Sequence, residues 1–357
     1  MLSYPRHDIL INMNTAALKP RISVIVPCYN IARYVGSCLN SLAAQTHDSF
    51  EVICIDDEST DETGRILDEF AAADARFKVI HQKRRGPSGA RKAGIAASTA
   101  PLIAFADGDD FVSSRYLEVL EALMTRYGVD IACCGFVSAP AGVRVTLNDD
   151  ANTVAHALNH CQVMGPIETL REIALGTIDF PFWGKIMKRE LTAFCSCPDN
   201  MVYEDIWNLG PVTAHAQRIV YSPTTLYCYV SRRESATRAH SDSLDTFWQF
   251  RKAIETFEAT YKECLGLEHA TDDGPYCLHL VHRLCAQYVV LQKSEATKQE
   301  RAALESALRD EIDAAYQLAL SHGISATHPQ MIRAAILLRS PKAHYLVLSA
   351  YRLFKAW

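Results

Sequence analysis

Residues 22–30 are Ile-Ser-Val-Ile-Val-Pro-Cys-Tyr-Asn, an apolar run that passes into polar residues. The run predicts a buried strand at 22–26, and an amphipathic stretch at about 31–44 predicts the helix that follows it. From residue 21 onward, short apolar runs alternate with longer amphipathic ones, which is typical of βαβ units around a parallel sheet. The first part of the chain is therefore predicted to be an α/β domain.

The remaining sequence extends this alternation and then becomes mainly helical. Further strands are predicted at 51–55, 77–81, 102–105 and 130–136, with a loop entering a helix at 86–98 and a helix at 114–127. Ser59 and Glu62 are predicted to form a capping box at the start of the second helix. Residues 139–165 have weak periodicity, which predicts a loop or an irregular hairpin at the sheet edge. Beyond them we predict a short strand at 218–221 and helices at 167–175, 205–214, 244–264, 276–292, 298–321 and 329–354.

Composition excludes several classes of protein. The 357 residues suit one large domain with an extension, or two domains. The formal charge of -5 lacks the basic excess of a nucleic-acid binder, so no nucleic-acid partner is expected. Twelve scattered cysteines predict free thiols in a reducing cytosol, and the lone pair Cys195 and Cys197 does not predict a zinc site. No apolar run predicts a signal peptide or a membrane span, so we expect a cytoplasmic protein.

Acidic residues follow two of the predicted strands. Asp56 and Asp57 follow one, and the segment Asp107-Gly108-Asp109-Asp110 follows another. In open parallel sheets the ligand site lies at the carboxyl ends of the strands, where these carboxylates would repel one another. A divalent cation relieves that repulsion, and hard oxygen ligands favour Mg²⁺ or Mn²⁺ together with a nucleoside diphosphate. The first strand is not followed by a Gly-rich phosphate loop, which argues against a P-loop enzyme or a dinucleotide dehydrogenase.

The sequence resembles family 2 glycosyltransferases in four motifs of matching order and spacing. These are the run 22–30, the Asp56-Asp57 pair followed by Ser59 and Asp61, the segment Gly89-Ala90-Arg91, and the cluster 107–110. A looser resemblance to bacterial members that build capsular and exopolysaccharides continues through Phe182-Trp183-Gly184-Lys185, Glu204-Asp205, Tyr227-Cys228-Tyr229, Ser235 and Thr237. The family usually has Asn where this chain has Gly184, a departure that leaves the role of Lys185 open.

The resemblance implies a GT-A nucleotide-diphospho-sugar transferase fold, in which helices flank a Rossmann-like, mostly parallel sheet, with a mainly helical C-terminal extension. We accordingly divide the chain into an N-terminal tail at 1–20, a nucleotide-sugar-binding core at 21–137, an acceptor-side part of the catalytic domain at 138–240, and a helical extension at 241–357.

The resemblance also implies roles for individual residues. Asp57 would bind the nucleotide base, Asp107 would lie near the ribose, and Arg91 would contact the pyrophosphate or the sugar. Asp109 would ligate Mn²⁺ or Mg²⁺, with Asp110 as a further member of the metal site. The complete donor-binding set is Pro27, Tyr29, Asp56, Asp57, Arg91, Asp107, Gly108 and Lys185.

The pair Glu204-Asp205 is implied to supply the general base, with Asp205 taking the proton from the acceptor hydroxyl. The predicted activity is transfer of a sugar from a nucleotide-diphosphate sugar, with a UDP-sugar favoured, to a saccharide or a lipid-linked saccharide. Attack in one step from the opposite face would invert the anomeric centre. The expected role is in cell-envelope or exopolysaccharide synthesis.

Other interpretations stay open from the sequence alone. Asp56 and Asp57 could close a strand and cap a helix, the cluster 107–110 could be an acidic turn, and Arg91 could pair with a surface acid. The acids of 204–205 could simply favour a helix N-terminus. Alternative functions are a catalytically silent nucleotide-binding or interaction module and a nucleotidyltransferase, although the latter usually begins with a basic, Gly-rich loop.

The last predicted helix, at 329–354, is basic and amphipathic. Its apolar positions alternate with Arg333, Arg339, Lys342, Arg352 and Lys355. Peripheral contact with the inner face of the cell membrane and packing on the catalytic domain are the two alternatives for this helix. On the helix predicted at 276–292, His279 and His282 are interpreted as polar residues of one face.

Overall fold

The computed structural model describes residues 19–178, 181–232, 243–341 and 343. Within them the strands are β1 (Ile22–Cys28), β2 (Phe50–Asp57), β3 (Phe77–Gln82), β4 (Leu102–Phe105), β5 (Phe111–Val112), β6 (Ile131–Pro140), β7 (Gln162–Met164), β8 (Lys185–Lys188) and β9 (Ile219–Ser231). The helices are α1 (Val35–Ala43), α2 (Thr63–Ala73), α3 (Gly86–Ala97), α4 (Tyr116–Tyr127), α5 (Thr153–Asn159), α6 (Pro166–Leu175), α7 (Glu204–His215), α8 (Leu244–Leu265), α9 (Gly274–Lys293), α10 (Lys298–Ser321) and α11 (Pro329–Arg339).

The first four strands form a parallel half-sheet in the order β3-β2-β1-β4. All eight residues of β2 are buried, as expected for a strand covered on both faces. Val24 and Val52 face a core shared with α1 and α2, whereas Ile53 and Ile55 face α3. This layering confirms the predicted α/β class, and it places the carboxyl ends of β1, β2 and β4 at one edge.

The second half of the sheet contains both parallel and antiparallel pairs, and the sequence pattern predicts only some of its strands. The strand β8 pairs antiparallel with both β4 and β6, and β9 runs parallel to β6 but antiparallel to β5 and β7. The strand predicted at 218–221 is the first part of the 13-residue β9. The predicted loop at 139–165 contains α5 and β7. The strand β6 runs across the predicted boundary between 137 and 138.

The predicted capping box at Ser59 is wrong. The helix α2 begins at Thr63, and its N-cap residue Glu62 makes no side-chain capping bond. Ser59 instead accepts a hydrogen bond on Oγ from the backbone N–H of Asn30 (3.1 Å). Asp61 accepts one from the N–H of Thr63 (2.9 Å). The polar side chains after β2 are therefore used partly to fix the loop after β1, which borders the predicted ligand site.

The helical extension packs on the catalytic half through α8, which lies against α7, and α9, which lies against α6. The helix α11 ends at Arg339 and Ser340 is extended, but Pro341 and Ala343 are again helical, so the helix predicted at 329–354 is interrupted at Ser340. Its continuation, with Lys342, Leu346, Val347, Arg352, Leu353 and Lys355, lies outside the described residues. Among the helices that are described, none is both long and apolar enough to cross a bilayer. All twelve cysteines are free thiols.

The helix α3 lies unusually close to β1 at Gly94. A Cβ at this position would lie 2.3 Å from Cγ2 of Ile25, closer than two carbon atoms can approach. We expect Gly94→Ala to push α3 outward and to lower the free energy of unfolding by about 1–3 kcal/mol, as overpacking does in other cores. Urea denaturation followed by circular dichroism measures this change.

Gly36 provides the matched control, because it is also helical and a Cβ there would have no neighbour within 4 Å. Gly36→Ala is expected to leave stability unchanged or to raise it by up to about 1 kcal/mol through helix propensity. Equal effects of the two substitutions would contradict the close packing of α3 on β1.

Candidate active site

The end of the site that is predicted to bind the nucleotide base is formed by the residues that follow β1 and β2. Asp57 is 2% exposed, and its Oδ1 accepts hydrogen bonds from Gln82 Nε2 (2.7 Å) and from the N–H of Arg85 (2.8 Å). Tyr29 is 40% exposed, and the guanidinium of Arg84 lies 3.1 Å from the centroid of its ring. A planar ring, a cation and a fixed carboxylate at one edge suit the recognition of a flat polar heterocycle.

Asp56 has a more structural position than its neighbour. It is 5% exposed, and its two oxygens accept a hydrogen bond from the N–H of Ser59 (3.1 Å) and contact Nδ1 of His81 (2.8 Å). These contacts raise the pKa of His81 above its usual value, chiefly through its hydrogen bond to Asp56 and then through Asp68. Asp56 therefore closes β2 and anchors β3, whereas Tyr29 is largely exposed and has Arg84 over its ring.

Gly108 holds the acidic turn against the end of β1. A Cβ at this position would lie 2.6 Å from Cδ1 of Ile31, 2.9 Å from Sγ of Cys28 and 3.1 Å from the carbonyl oxygen of Pro27. Only glycine allows this approach without displacing the loop. The close contact explains why a glycine lies between two aspartates.

Asp107, Asp109 and Asp110 each place one carboxylate oxygen within 4.8 Å of the other two. Burial raises the pKa of Asp109, and Asp107 raises it further, although Arg232 opposes both effects. Burial also raises the pKa of Asp110 well above its usual value, with added repulsion from Asp109 and Asp107. The cluster therefore favours a positive charge at its centre.

Only part of this cluster is open to a cation. Both oxygens of Asp110 are engaged, Oδ1 with the N–H of Val230 (2.7 Å) and Oδ2 with the hydroxyl of Tyr227 (2.8 Å), and Asp110 is 1% exposed. Asp109 contacts Nε of Arg232, and about a fifth of its side chain (18%) is exposed. Hard, partly exposed carboxylates fit Mg²⁺ or Mn²⁺. Asp107 and Asp109 fit direct ligation best, and Asp110 anchors the turn to β9.

Arg91 joins the acidic turn to the N-terminus of α7. Its guanidinium contacts Oδ1 of Asp107 through one terminal nitrogen and Oε1 of Glu204 through the other. Burial would lower the pKa of Arg91, but Asp107 and Glu204 raise it, so the guanidinium stays charged. The predicted contact of Arg91 with the donor stays a prediction, whereas the alternative of a surface ion pair is wrong because the side chain is buried.

Glu204 and Asp205 begin α7, and they face different surroundings. Glu204 is 7% exposed, and burial raises its pKa, whereas the guanidinium of Arg91 lowers it and favours the charged carboxylate. Asp205 lines a cavity of about 530 Å³. Arg91 and Asp107 line the same cavity, together with Trp183. Both acids therefore border the space beside the acidic turn, but Glu204 is the one that contacts Arg91.

The segment before β8 supplies an aromatic wall to this cavity. The ring of Trp183 stacks on Tyr227 with centroids 4.4 Å apart and lies parallel to Tyr229 at 5.8 Å. Gly184 has φ +71°, a region that Asn adopts more readily than other residues with a side chain. A glycine therefore suits the backbone at the position where the resemblance expects Asn, and it lacks the amide.

Lys185 is 4% exposed and begins β8. Burial lowers the pKa of Lys185 to about 8, while Cys133 and Asp205 act in the opposite direction. Lys185 is therefore not a surface group. The charge of Lys185 interacts electrostatically with that of Asp205, so Lys185 lies on the side of the site that contains the proposed base. Its predicted role in donor binding remains a prediction.

Two arginines of the site were not singled out from the sequence. Arg84 covers Tyr29, and Arg232 contacts Asp109 and lies over the ring of Tyr34, 5.3 Å from the centroid. Arg232 was not predicted to belong to the site, because β9 was predicted to end at residue 221 and so would not bring this side chain to the acids. The predicted Ser235 and Thr237 lie outside the described residues.

Comparison with known proteins agrees with this geometry. Residues 23–191 match the sequence model of Glycosyl transferase family 2. EpsJ of Bacillus subtilis, named an uncharacterized glycosyltransferase, is 41% identical over 117 residues, which are 33% of this chain and 34% of EpsJ. Glycosyltransferase GlyA of Streptococcus pneumoniae is 28% identical over 227 residues, 62% of this chain and 32% of GlyA. The chain thus matches about a third of the length of these curated relatives.

Solved structures extend the similarity to the helical half. The crystal structure of residues 1–349 of S. aureus TarS superposes with a TM-score of 0.62 and 19% identity, covering 93% of this chain and 91% of that one. The same protein in complex with UDP-GlcNAc gives a TM-score of 0.56, with 85% and 91% covered. At this identity the comparison bears on the fold, and it confirms the predicted GT-A class with a helical C-terminal region.

Arg91 connects the acidic turn to the N-terminus of α7, and its removal tests how much this connection stabilises the fold. We expect Arg91→Met to lower the free energy of unfolding by about 3–5 kcal/mol, because it leaves Glu204 buried without its cation. The double substitution Arg91→Met with Glu204→Gln is expected to recover part of that loss. Chemical denaturation of the single and double variants measures both effects.

Arg65 is the matched control, because its guanidinium also contacts two carboxylates, of Glu62 and Glu69, but on the solvent side of α2. Arg65→Met is expected to leave the unfolding midpoint unchanged. If Arg91→Met were equally mild, the bridge to Glu204 would have no structural importance.

Proposed function

Because residues 23–191 match the sequence model of Glycosyl transferase family 2, we propose that this chain transfers a sugar from a nucleotide-diphosphate sugar to an acceptor hydroxyl. The observation that carries the proposal is that Asp205 lines the same cavity as Asp107. A candidate base for the acceptor thereby lies beside the acidic turn that the donor's diphosphate would approach.

The donor is proposed to bind at the carboxyl ends of β1, β2 and β4. Its base lies against Tyr29 and within reach of Asp57, whose hydrogen bonds to Gln82 and Arg85 fix the carboxylate. Asp107 then lies nearer the ribose and sugar. We propose a UDP-sugar as the preferred donor, and the complex of the structurally similar S. aureus TarS with UDP-GlcNAc supports testing it first.

The diphosphate needs positive charge at the acidic turn. We propose that Asp109 and Asp107 hold Mg²⁺ or Mn²⁺, while Asp110 keeps the turn attached to β9. When bound, such an ion stabilises the charge that develops on the leaving diphosphate. Arg91 holds Asp107 in place, and its own contact with Glu204 fixes the turn relative to α7.

Asp205 is proposed as the general base. It removes the proton from the acceptor hydroxyl as the oxygen attacks the anomeric carbon, and the bond from that carbon to the diphosphate breaks on the opposite face. A carboxylate is adequate, because the hydroxyl becomes acidic only as the new bond forms. This single displacement inverts the anomeric centre. Glu204 positions α7 and does not take the proton, because it is buried against Arg91.

The acceptor is proposed to be a saccharide or a lipid-linked saccharide in cell-envelope or secreted-polysaccharide synthesis. This part rests on the resemblance of 182–185, 204–205 and 227–229 to bacterial family members that build such polymers. Trp183 and Tyr229 support it physically, because their rings form a wall of the cavity against which the apolar face of a sugar can pack.

The donor site is tested by calorimetric titration of UDP and UDP-GlcNAc with Mn²⁺ or with EDTA. The wild-type protein is expected to bind in a Mn²⁺-dependent manner. Asp109→Asn is expected to weaken that binding by at least about tenfold, since even groups that orient metal ligands contribute that much to affinity. Asp310→Asn, an exposed aspartate on α10, is the matched control and should bind as the wild type does.

The base is tested by the release of UDP from UDP-GlcNAc, measured with candidate saccharide acceptors. Asp205→Asn is expected to leave donor affinity within about twofold and to lower turnover by about 10²–10⁴-fold, the usual contribution of a general base. If no nucleotide bound under either condition, the alternative of a silent interaction module would be favoured. Unchanged turnover in Asp205→Asn would assign the base elsewhere.

A further inference from the structure

The cavity that contains Asp205 is bounded on its far side by the helical extension. Of its described lining, Phe250 comes from α8 and Arg333 from α11, and the rest of this side comes from α9. Its volume of about 530 Å³ is within the usual range for small-molecule sites. The extension therefore forms one wall of the proposed active site.

The wall that α9 contributes follows from helical spacing. Arg283, Ala286, Val290 and Lys293 are separated by three, four and three residues, so they lie along one face of the helix. All four line the cavity. Arg283 and Lys293 thus place one positive charge at each end of a short apolar strip.

Every charged residue that the extension contributes to the described lining is basic, namely Arg283, Lys293 and Arg333. All three are half-buried. The carboxylates of the lining, including Asp107 and Asp205, all come from the catalytic half. The catalytic half and the helical extension therefore contribute net charges of opposite sign to the described lining of the cavity.

The neighbouring imidazoles support this distribution of charge. Burial lowers the pKa of His282 to about 3, and Arg283 and Arg333 lower it further. Both guanidiniums therefore act on the same side chain, although they belong to different helices. His279 is likewise held neutral by burial, Arg283 and His282. The positive charge of this wall is thus supplied by arginine and lysine, which keep it at neutral pH.

We propose that this basic wall, formed by Arg283, Lys293 and Arg333, binds a phosphate group of the acceptor while the acceptor's hydroxyl reaches Asp205. The proposal rests on the proposed function and names its acceptor class as phosphate-bearing. Guanidinium groups recognise phosphate through paired, charge-assisted hydrogen bonds. The donor's own diphosphate is assigned to the acidic turn.

The test uses the full chain with its donor site filled by UDP and Mn²⁺. The probes are glucose 6-phosphate and geranyl diphosphate, and glucose and geraniol are their neutral counterparts. We expect at least one phosphorylated probe to bind about tenfold or more tightly than its neutral counterpart, as a charge-assisted hydrogen bond provides. The preferred probe shows whether the phosphate belongs to a saccharide or to a lipid diphosphate.

The variants Arg283→Gln and Arg333→Gln are each expected to weaken that binding by about tenfold. Lys252→Gln removes an exposed lysine of α8 that does not line the cavity, so it serves as the control and should bind as the wild type does. Circular dichroism and the affinity for UDP report whether each variant keeps its fold and its donor site.

The outcomes separate this inference from the proposed function. If UDP binds but the phosphorylated probes bind no better than the neutral ones, the phosphate site is wrong and glycosyl transfer stands. Probe binding that is unchanged in Arg283→Gln and Arg333→Gln, or that disappears when UDP is added, also overturns it. If UDP fails to bind and the probes still require these arginines, the phosphate site stands and the proposed donor does not.

Discussion

The contact of Arg91 with Asp107 and Glu204 is the constraint on which the site depends. These residues come from α3, from the turn after β4 and from α7, which are separated by up to 113 positions in sequence. A guanidinium has a rigid fork of donors, so it fixes the two carboxylates in direction as well as in distance. The close approach of α3 to β1 at Gly94 sets where Arg91 can reach. Arg91 thus positions both the acidic turn, where the donor is proposed to bind, and α7, which carries the proposed base.

The parallel half of the fold was predictable because each of its strands is a local apolar run bounded by polar residues. β1, β2, β3 and β4 are of this kind, and they appear where the sequence indicates. β8 was missed because its four residues, Lys185–Lys188, begin and end with lysine, and it is defined only by pairing with β4 and β6. The length of β9 depends on three partners, which a local pattern does not contain. The missed elements are those that tertiary pairing stabilises.

The acids of the site were predictable for a related reason. A carboxylate after an apolar strand is conspicuous, because it lies where the chain leaves the core, and Asp57, Asp107 and Asp109 are all of this type. Their partners Arg84 and Arg232 were not predictable, since a surface arginine has the same local sequence as one that turns inward. The division between Glu204 and Asp205 also needed the structure. Adjacent residues of one helix end differ there because only the first meets Arg91.

The two arginines at the acidic turn have different consequences for cation binding in the proposed mechanism. Arg232 contacts Asp109, and Arg91 contacts both Asp107 and Glu204. If Arg91 left, Glu204 would be buried without a counter-charge, which is costly. If Arg232 moved away from Asp109, a divalent ion would supply positive charge to this partly exposed carboxylate in its place. A cation is therefore expected to enter at Asp109 by displacing Arg232, while Arg91 keeps the base and the acidic turn in register.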